Sequence, residues 1–161
     1  MATIKLTQDF KEFLQLLNSE KIEYLLIGGY AVGLHGYVRG TGDMDVWIAT
    51  NEQNFDRMLR VLELFGFSRS SLSRDLFTGP QHIIRMGVPP NRLEILTKIS
   101  GVDFGECYER RSIVDCDGLQ IPLISYEDLR RNKLSSGRAK DIGDVTMLEK
   151  RRAIKKKPAE S

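Results

Sequence analysis

The stretch from Tyr24 to Thr50 constrains this chain more than any other. It runs from an apolar segment through two adjacent glycines and a short helical pattern to Asp43-Met44-Asp45, which leads directly into Val46-Trp47-Ile48. Tyr24-Leu25-Leu26-Ile27 is uninterrupted by polar residues and ends abruptly at Gly28-Gly29, the pattern of a buried strand. Residues 30–37 are compatible with a short helix, and Gly40 and Gly42 then break the regular pattern. Asp43 and Asp45 open the next strand. Side chains two apart in a strand share a face, so both carboxylates point one way while Met44 and Val46 point the other. Neighbouring carboxylates repel, and a divalent cation relieves the repulsion. Glycines placed just after a strand let backbone approach a phosphate, and the helix behind them offers N–H groups to an anion. A phosphate cradle followed by paired carboxylates points to chemistry on a nucleotide.

A second motif lies near the C-terminus: Asn132-Lys133-Leu134-Ser135-Ser136-Gly137-Arg138-Ala139-Lys140-Asp141-Ile142-Gly143-Asp144. With Gly28-Gly29, Arg39-x-Thr41-x-Asp43-x-Asp45 and this segment in that order, the chain resembles the DNA polymerase beta-type nucleotidyltransferases, in particular their small, toxin-like members. The resemblance implies an α/β nucleotidyltransferase fold with a mixed, mostly antiparallel sheet of about five strands, flanking helices and a small helical C-terminal segment. It implies transfer of a nucleoside monophosphate from an NTP, ATP among them, to an acceptor hydroxyl with release of pyrophosphate. Two Mg²⁺ (or Mn²⁺) ions would be held by Asp43, Asp45 and a third carboxylate on a later strand. Gly28, Gly29, Arg39, Thr41, Lys133 and Arg138 are the expected nucleotide-binding residues. Gly29 stands where many polymerases carry a phosphate-binding Ser, which leaves that contact to backbone N–H groups. The acceptor is left open between an RNA end, a protein side chain and a small molecule. Two alternatives accompany this reading: a nucleotide- or RNA-binding module without turnover, and an antitoxin-like or regulatory partner.

Glu94 is the candidate third carboxylate. The segment 92–99 reads as a strand on which Arg92, Glu94 and Leu96 share a face opposite Leu93, Ile95 and Thr97. A lone acid among such neighbours is either an edge residue in water or a ligand, and the resemblance selects the ligand. A partner strand is expected over 82–88, joined to it through the Pro89-Pro90-Asn91 turn, and strands are expected between Phe67 and Ser100.

The remaining elements follow from periodicity and capping. Phe10, Phe13, Leu14 and Leu17 make a first amphipathic helix beginning near Thr7. Phe55, Met58, Leu59, Leu62 and Phe65 form the core stripe of another, capped by Thr50-Asn51-Glu52-Gln53 and stopped at Gly66. Residues 112–124 read as a hairpin turning at Asp117-Gly118. Ser125-Tyr126-Glu127-Asp128 opens a helix running through Leu134, Gly137 breaks it, and a last helix turns Ile142, Val145 and Leu148 inward. Lys133, Arg138 and Lys140 flank that break. Clustered cations there suit either a triphosphate or a charged turn, with Asp141 and Asp144 orienting them.

At 161 residues the chain suffices for one well-buried domain, expected over 1–149, with a basic tail over 150–161. The net charge of +2 conceals an asymmetry: residues 150–161 hold six basic side chains and one acid, for +5, which leaves −3 for the rest. Such a tail either attracts nucleic acid or is a solvated helix end. No apolar run approaches the roughly 20 residues needed to span a membrane, and the N-terminus lacks a signal-peptide core, so a cytoplasmic protein is expected, with a partner protein or homo-oligomer left open. Cys107 and Cys116 have no companions for a zinc site and read as buried thiols. His35 and His82 read as structural. Gly28 and Gly33 have Walker-loop spacing, but Leu34-His35 follow where Lys is required. Gly-x-Gly-x-x-Gly and Gly-x-Ser-x-Gly are absent.

Overall fold

A computed structural model of the chain describes residues 4–156. The elements in order are α1 (Gln8–Ser19), β1 (Tyr24–Ile27), α2 (Gly28–Leu34), β2 (Asp43–Ile48), α3 (Glu52–Phe65), two single 3₁₀ turns (Arg69–Ser71 and Arg74–Phe77), β3 (Ile83–Met86), β4 (Arg92–Leu96), α4 (Phe104–Glu109), β5 (Ser112–Cys116), β6 (Leu119–Leu123), α5 (Tyr126–Ser136) and α6 (Ala139–Lys156). The sheet order is β3-β4-β2-β1-β6-β5. The pairs β1–β2, β3–β4 and β5–β6 are antiparallel, whereas β1–β6 and β2–β4 are parallel. The sheet is thus mixed and mostly antiparallel as expected, with six strands rather than about five because both arms of the 112–124 hairpin join it.

The apolar stripes account for the core. Phe10, Phe13, Leu14 and Leu17 of α1 are fully buried, and Phe13 meets Phe65 of α3 edge-to-face at 5.4 Å. Met44, Val46 and Ile48, one face of β2, are buried, and so is every residue of β1. On the other face of β2, Trp47 follows Asp43 and Asp45 and packs edge-to-face on Phe104 of α4 at 5.1 Å. Cys107 and Cys116 are buried free thiols, and burial pushes Cys107 up to about 12.

Caps fix the boundaries. The Thr7 hydroxyl accepts from the Phe10 N–H, and the Ser125 hydroxyl from the Asp128 N–H. Gly137 ends α5 in the left-handed region at φ 70°, where glycine is unstrained. Asp117 and Gly118, at φ 52° and 83°, make the hairpin turn.

Local expectations needed correction in several places. The first glycines do not precede a helix at 30–37; they are its first turn, since α2 starts at Gly28. Asn51, not Thr50, caps α3, its side chain accepting from the Asn54 N–H at 2.9 Å. The segment after α3 forms 3₁₀ turns rather than strand, with Ser, Arg and Asp making local hydrogen bonds such as Ser71 Oγ to the Ser68 carbonyl at 2.7 Å. In α6, Val145 and Leu148 are buried but Ile142 is 44% exposed. Residues 150–156 of the basic stretch continue α6, with the Arg152 guanidinium 3.4 Å above the Tyr126 ring; 157–161 lie outside the described residues.

Candidate active site

Strands and helices from both halves of the chain converge on one cleft of about 560 Å³. Its floor is the β1–α2 junction with β2 and β4. One wall is the end of α5 and the start of α6. Gly28, Gly29, Arg39, Thr41, Asp43, Asp45, Glu94, Lys133 and Arg138, the residues singled out from sequence, all line it.

The parallel register of β2 on β4 brings the carboxylates together. Asp43 lies opposite Arg92 and Asp45 opposite Glu94. Because β4 is flanked by β3 and β2, Glu94 is an interior residue and not a solvated edge acid; its side chain is 12% exposed. The same register supplies cations that sequence reading did not connect with the acids. Arg92 donates to both oxygens of Asp43, at 2.7 and 3.0 Å, and approaches Glu94 at 3.4 Å. Arg85 of β3, opposite Glu94, donates to it at 3.1 Å.

Asp45 has no such partner. Its Oδ1 is buried without a hydrogen-bond partner. Burial first, then the hydrogen bond and negative charge of Glu94 and the charge of Asp43, push its pKa up to about 8.

The two glycines are dictated by close approach. A Cβ at Gly28, whose φ is +69°, would overlap the Asp45 carboxylate, and a Cβ at Gly29 would lie 2.8 Å from the Thr41 hydroxyl. Thr41 in turn donates to the Asp43 carbonyl at 3.1 Å, bracing the entry to β2. The glycine pair therefore seats the strand that carries both aspartates against the start of α2.

The C-terminal motif folds into a buried ion-pair cluster. Lys133, only 5% exposed, meets Asp141 at 2.9 Å and Asp144 at 3.0 Å. Arg39 binds Asp144 through two 2.7 Å hydrogen bonds, and Arg138 and Ser136 reach Asp141 at 2.9 and 2.6 Å. Burial would raise both aspartates, yet hydrogen bonds from Ser136, Lys133 and Arg39 and the adjacent positive charges hold them below the usual carboxylate range. Asp141 and Asp144 thus orient Lys133 and Arg138, as expected, and Arg39 besides, but not Lys140. Lys133 and Arg39 are tied into this cluster, which fastens the 35–43 loop to α6. The two histidines bond locally: His35 Nε2 pairs with the Ile124 carbonyl at 2.7 Å, and His82 Nδ1 with the Thr97 hydroxyl at 3.3 Å.

The donor set of Asp43, Asp45 and Glu94 is all carboxylate oxygen, the chemistry that hard divalent cations select. The partnerless Asp45 oxygen is the strongest single indication that these residues suit such a cation. Among the described residues no three acid, His or Cys side chains converge as a ready-made cage, with Asp43 drawn to Arg92 and Glu94 to Arg85.

Comparison with known proteins agrees with this geometry. A family model described as "Nucleotidyltransferase of unknown function (DUF6036)" matches residues 4–150. Among solved structures, a Thermotoga maritima protein classed as a nucleotidyltransferase superimposes with a TM-score of 0.57 at 18% identity, over 88% of this chain and 90% of that one. The lincosamide antibiotic adenylyltransferase LnuA, solved with lincomycin bound, superimposes with a TM-score of 0.54 at 19% identity, over 91% and 98% of the two chains. These similarities establish a shared fold. No curated protein matches in sequence. No helix among the described residues is long and apolar enough to cross a membrane.

Proposed function

The chain belongs to the nucleotidyltransferase family DUF6036, and from that premise we propose that it transfers a nucleoside monophosphate from an NTP to an acceptor hydroxyl, with Mg²⁺, in the cleft above β2 and β4. The observation that carries this reading is the register pairing of Asp45 with Glu94, beside Asp43, on a floor formed by Gly28 and Gly29. A cleft of about 560 Å³ is within the range of nucleotide-sized ligand sites.

In the reaction the acceptor oxygen attacks the α-phosphorus. A new O–P bond forms, the α–β phosphoanhydride bond breaks, and pyrophosphate leaves with the bonding electrons. Divalent ions, when bound, neutralise the charge that builds on the phosphate oxygens and leaving group. Asp43, Asp45 and Glu94 would hold them, with Asp43 released from the Arg92 guanidinium. Glu94 would receive the acceptor's proton. Gly28 and Gly29 let the triphosphate lie close to the backbone, and Arg138, 78% exposed in its side chain, can pair with phosphate oxygens. The LnuA neighbour favours a small hydroxylated molecule as one acceptor class beside an RNA end and a protein side chain.

The test is Glu94→Gln. Calorimetric titration with Mg²⁺–NTP should give near-normal affinity, while transfer falls by two or more orders of magnitude, roughly 3 kcal/mol of lost transition-state stabilisation. A variant that transfers as fast as wild type removes Glu94 from the site. A wild-type protein that binds NTP but labels no acceptor favours the binding-module alternative, for which the Arg92 clamp on Asp43 is the supporting observation.

A further inference from the structure

We propose that an aromatic pocket beside the cleft is the acceptor site, and that it takes a small molecule whose hydroxyl is carried on a flat apolar body, such as an aryl alcohol or an aryl glycoside. This rests on the nucleotide-transfer reading of the cleft and names the class of acceptor. In the transfer the acceptor's hydroxyl oxygen bonds to the α-phosphorus, with Glu94 taking its proton on that reading. Pyrophosphate leaves with the electrons of the α–β bond, and the product is the nucleoside-monophosphate diester of the alcohol.

The pocket has a volume of about 560 Å³, the size of a small-molecule site. Two aromatic pairs frame it. Trp47 lies edge-to-face on Phe104 at 5.1 Å, and Phe55 stacks on Phe77 at 5.1 Å with 11° between the rings. Such walls favour a ring of the occupant, which gains apolar burial and aromatic contact together. The charged residues that line the pocket are Lys98 and Asp103, which cancel. It therefore has no surplus of cations to hold the phosphate backbone of a polynucleotide, and a small apolar body is the better match.

Strand register ties the pocket to the carboxylates. Asp45 and Trp47 share a face of β2, and their parallel partners on β4, Glu94 and Leu96, share the same face. Trp47 and Leu96 therefore lie one strand repeat, about 7 Å, beyond the Asp45–Glu94 pair. Leu96 lines the cleft, Trp47 lines the pocket, and Lys98, next in the alternation of β4, lines both. A molecule seated against Trp47 is thus within one ring or short chain of the carboxylates.

The polar part of the wall is fixed as well. His82 is held at φ 57°, a left-handed backbone uncommon outside glycine. Its carbonyl accepts from the Thr97 N–H at 2.9 Å, and its Nδ1 pairs with the Thr97 hydroxyl at 3.3 Å. Both residues line the pocket. Backbone strain of this kind collects at ligand sites, and here it holds two polar groups at set positions on an otherwise aromatic wall.

Trp47 is the only tryptophan in the chain, so its fluorescence reads the pocket directly. The probes are 2-phenylethanol and phenyl β-glucoside, each beside its alkyl counterpart, ethanol or methyl β-glucoside. They are titrated into wild type, Thr78→Phe and Val102→Phe, then offered as acceptors with Mg²⁺ and the four α-labelled NTPs, beside RNA and protein pools. Both substitutions fill the pocket from its lining, and neither residue lines the cleft. Thermal melting checks that each variant is folded. The aryl compounds should change the Trp47 emission and accept label with kcat/KM at least tenfold above their alkyl counterparts. Each filled pocket should lower that transfer by at least tenfold while Mg²⁺–NTP affinity stays at the wild-type level. Equal use of aryl and alkyl acceptors, or filled variants that transfer as wild type does, overturns the assignment. The two readings fail separately. Aryl binding at Trp47 that the filled variants lose, with no label on any acceptor, removes the enzymatic function and leaves an aryl-binding pocket. Label that reaches only RNA or protein, unaffected by filling, removes the acceptor site and leaves the function.

Discussion

Replacing Asp45 by Asn should stabilise the protein in alkaline solution, and the size of the gain can be worked from the site. Asp45 is a buried carboxylate whose Oδ1 lacks a hydrogen-bond partner, and its pKa is pushed from the ordinary 3.8 up to about 8, chiefly by burial and by Glu94. A raised acid pKa means that the folded state retains a proton the unfolded chain has already lost. Stability therefore falls as pH rises from about 4 to about 8 and levels off above that. At about 1.4 kcal/mol per pH unit the ceiling is close to 6 kcal/mol. Water entering the open cleft and the nearby Lys133 reduce it, and about 2–3 kcal/mol is the expected size. Asn keeps the shape and cannot ionise. Urea unfolding of wild type and Asp45→Asn should differ little at pH 4.5 and by about 2–3 kcal/mol in favour of the variant at pH 8.5, a melting difference of roughly 5–10 °C. Saturating Mn²⁺ should erase the difference, because a bound cation stabilises only the wild type. A pH-independent difference, or a variant less stable at pH 8.5, would refute the account of Asp45 as an uncompensated buried charge.

Two further substitutions probe the surroundings. Gly28→Ala forces a Cβ into the Asp45 carboxylate at a left-handed φ, so it should cost about 1–2 kcal/mol and abolish the Mn²⁺-induced rise in melting temperature; a preserved rise would show that Asp45 is not held by that glycine. Lys133→Met leaves Asp141 and Asp144 with only Arg39 and Arg138 as cationic partners, and should lower stability by roughly 3 kcal/mol in urea unfolding; a loss below about 0.5 kcal/mol would mean the cluster is dispensable.

What the sequence revealed and what it hid follows the range of the interactions. The glycine pair, Asp43-x-Asp45 and the hairpin turn at Asp117-Gly118 are local features, and each lies where its spacing indicated. Glu94 was reachable because strand alternation put it on a face with Arg92 and the family resemblance implies an acid on a later strand. The pairing of Arg92 with Asp43, however, is a register across two parallel strands separated by α3 and β3, which periodicity cannot supply. The division of the cations was hidden for the same reason: whether Lys133 faces a ligand or two aspartates depends on how α5 meets α6. The turns between 69 and 77 went unrecognised because their apolar residues, Leu72, Leu76 and Phe77, imitate a strand while the Ser, Arg and Asp between them favour local bonds.

The most direct test of nucleotidyl transfer follows the phosphate. Wild-type protein is incubated with Mg²⁺ and NTP labelled either at the α- or the γ-phosphate, with separate pools of small hydroxylated metabolites, RNA and protein. Transfer predicts that α-label appears on one pool, that γ-label appears only in released pyrophosphate, and that Asp43→Asn with Asp45→Asn abolishes both. Label reaching an acceptor from the γ-phosphate, or no label on any pool from a protein that binds NTP, would contradict it.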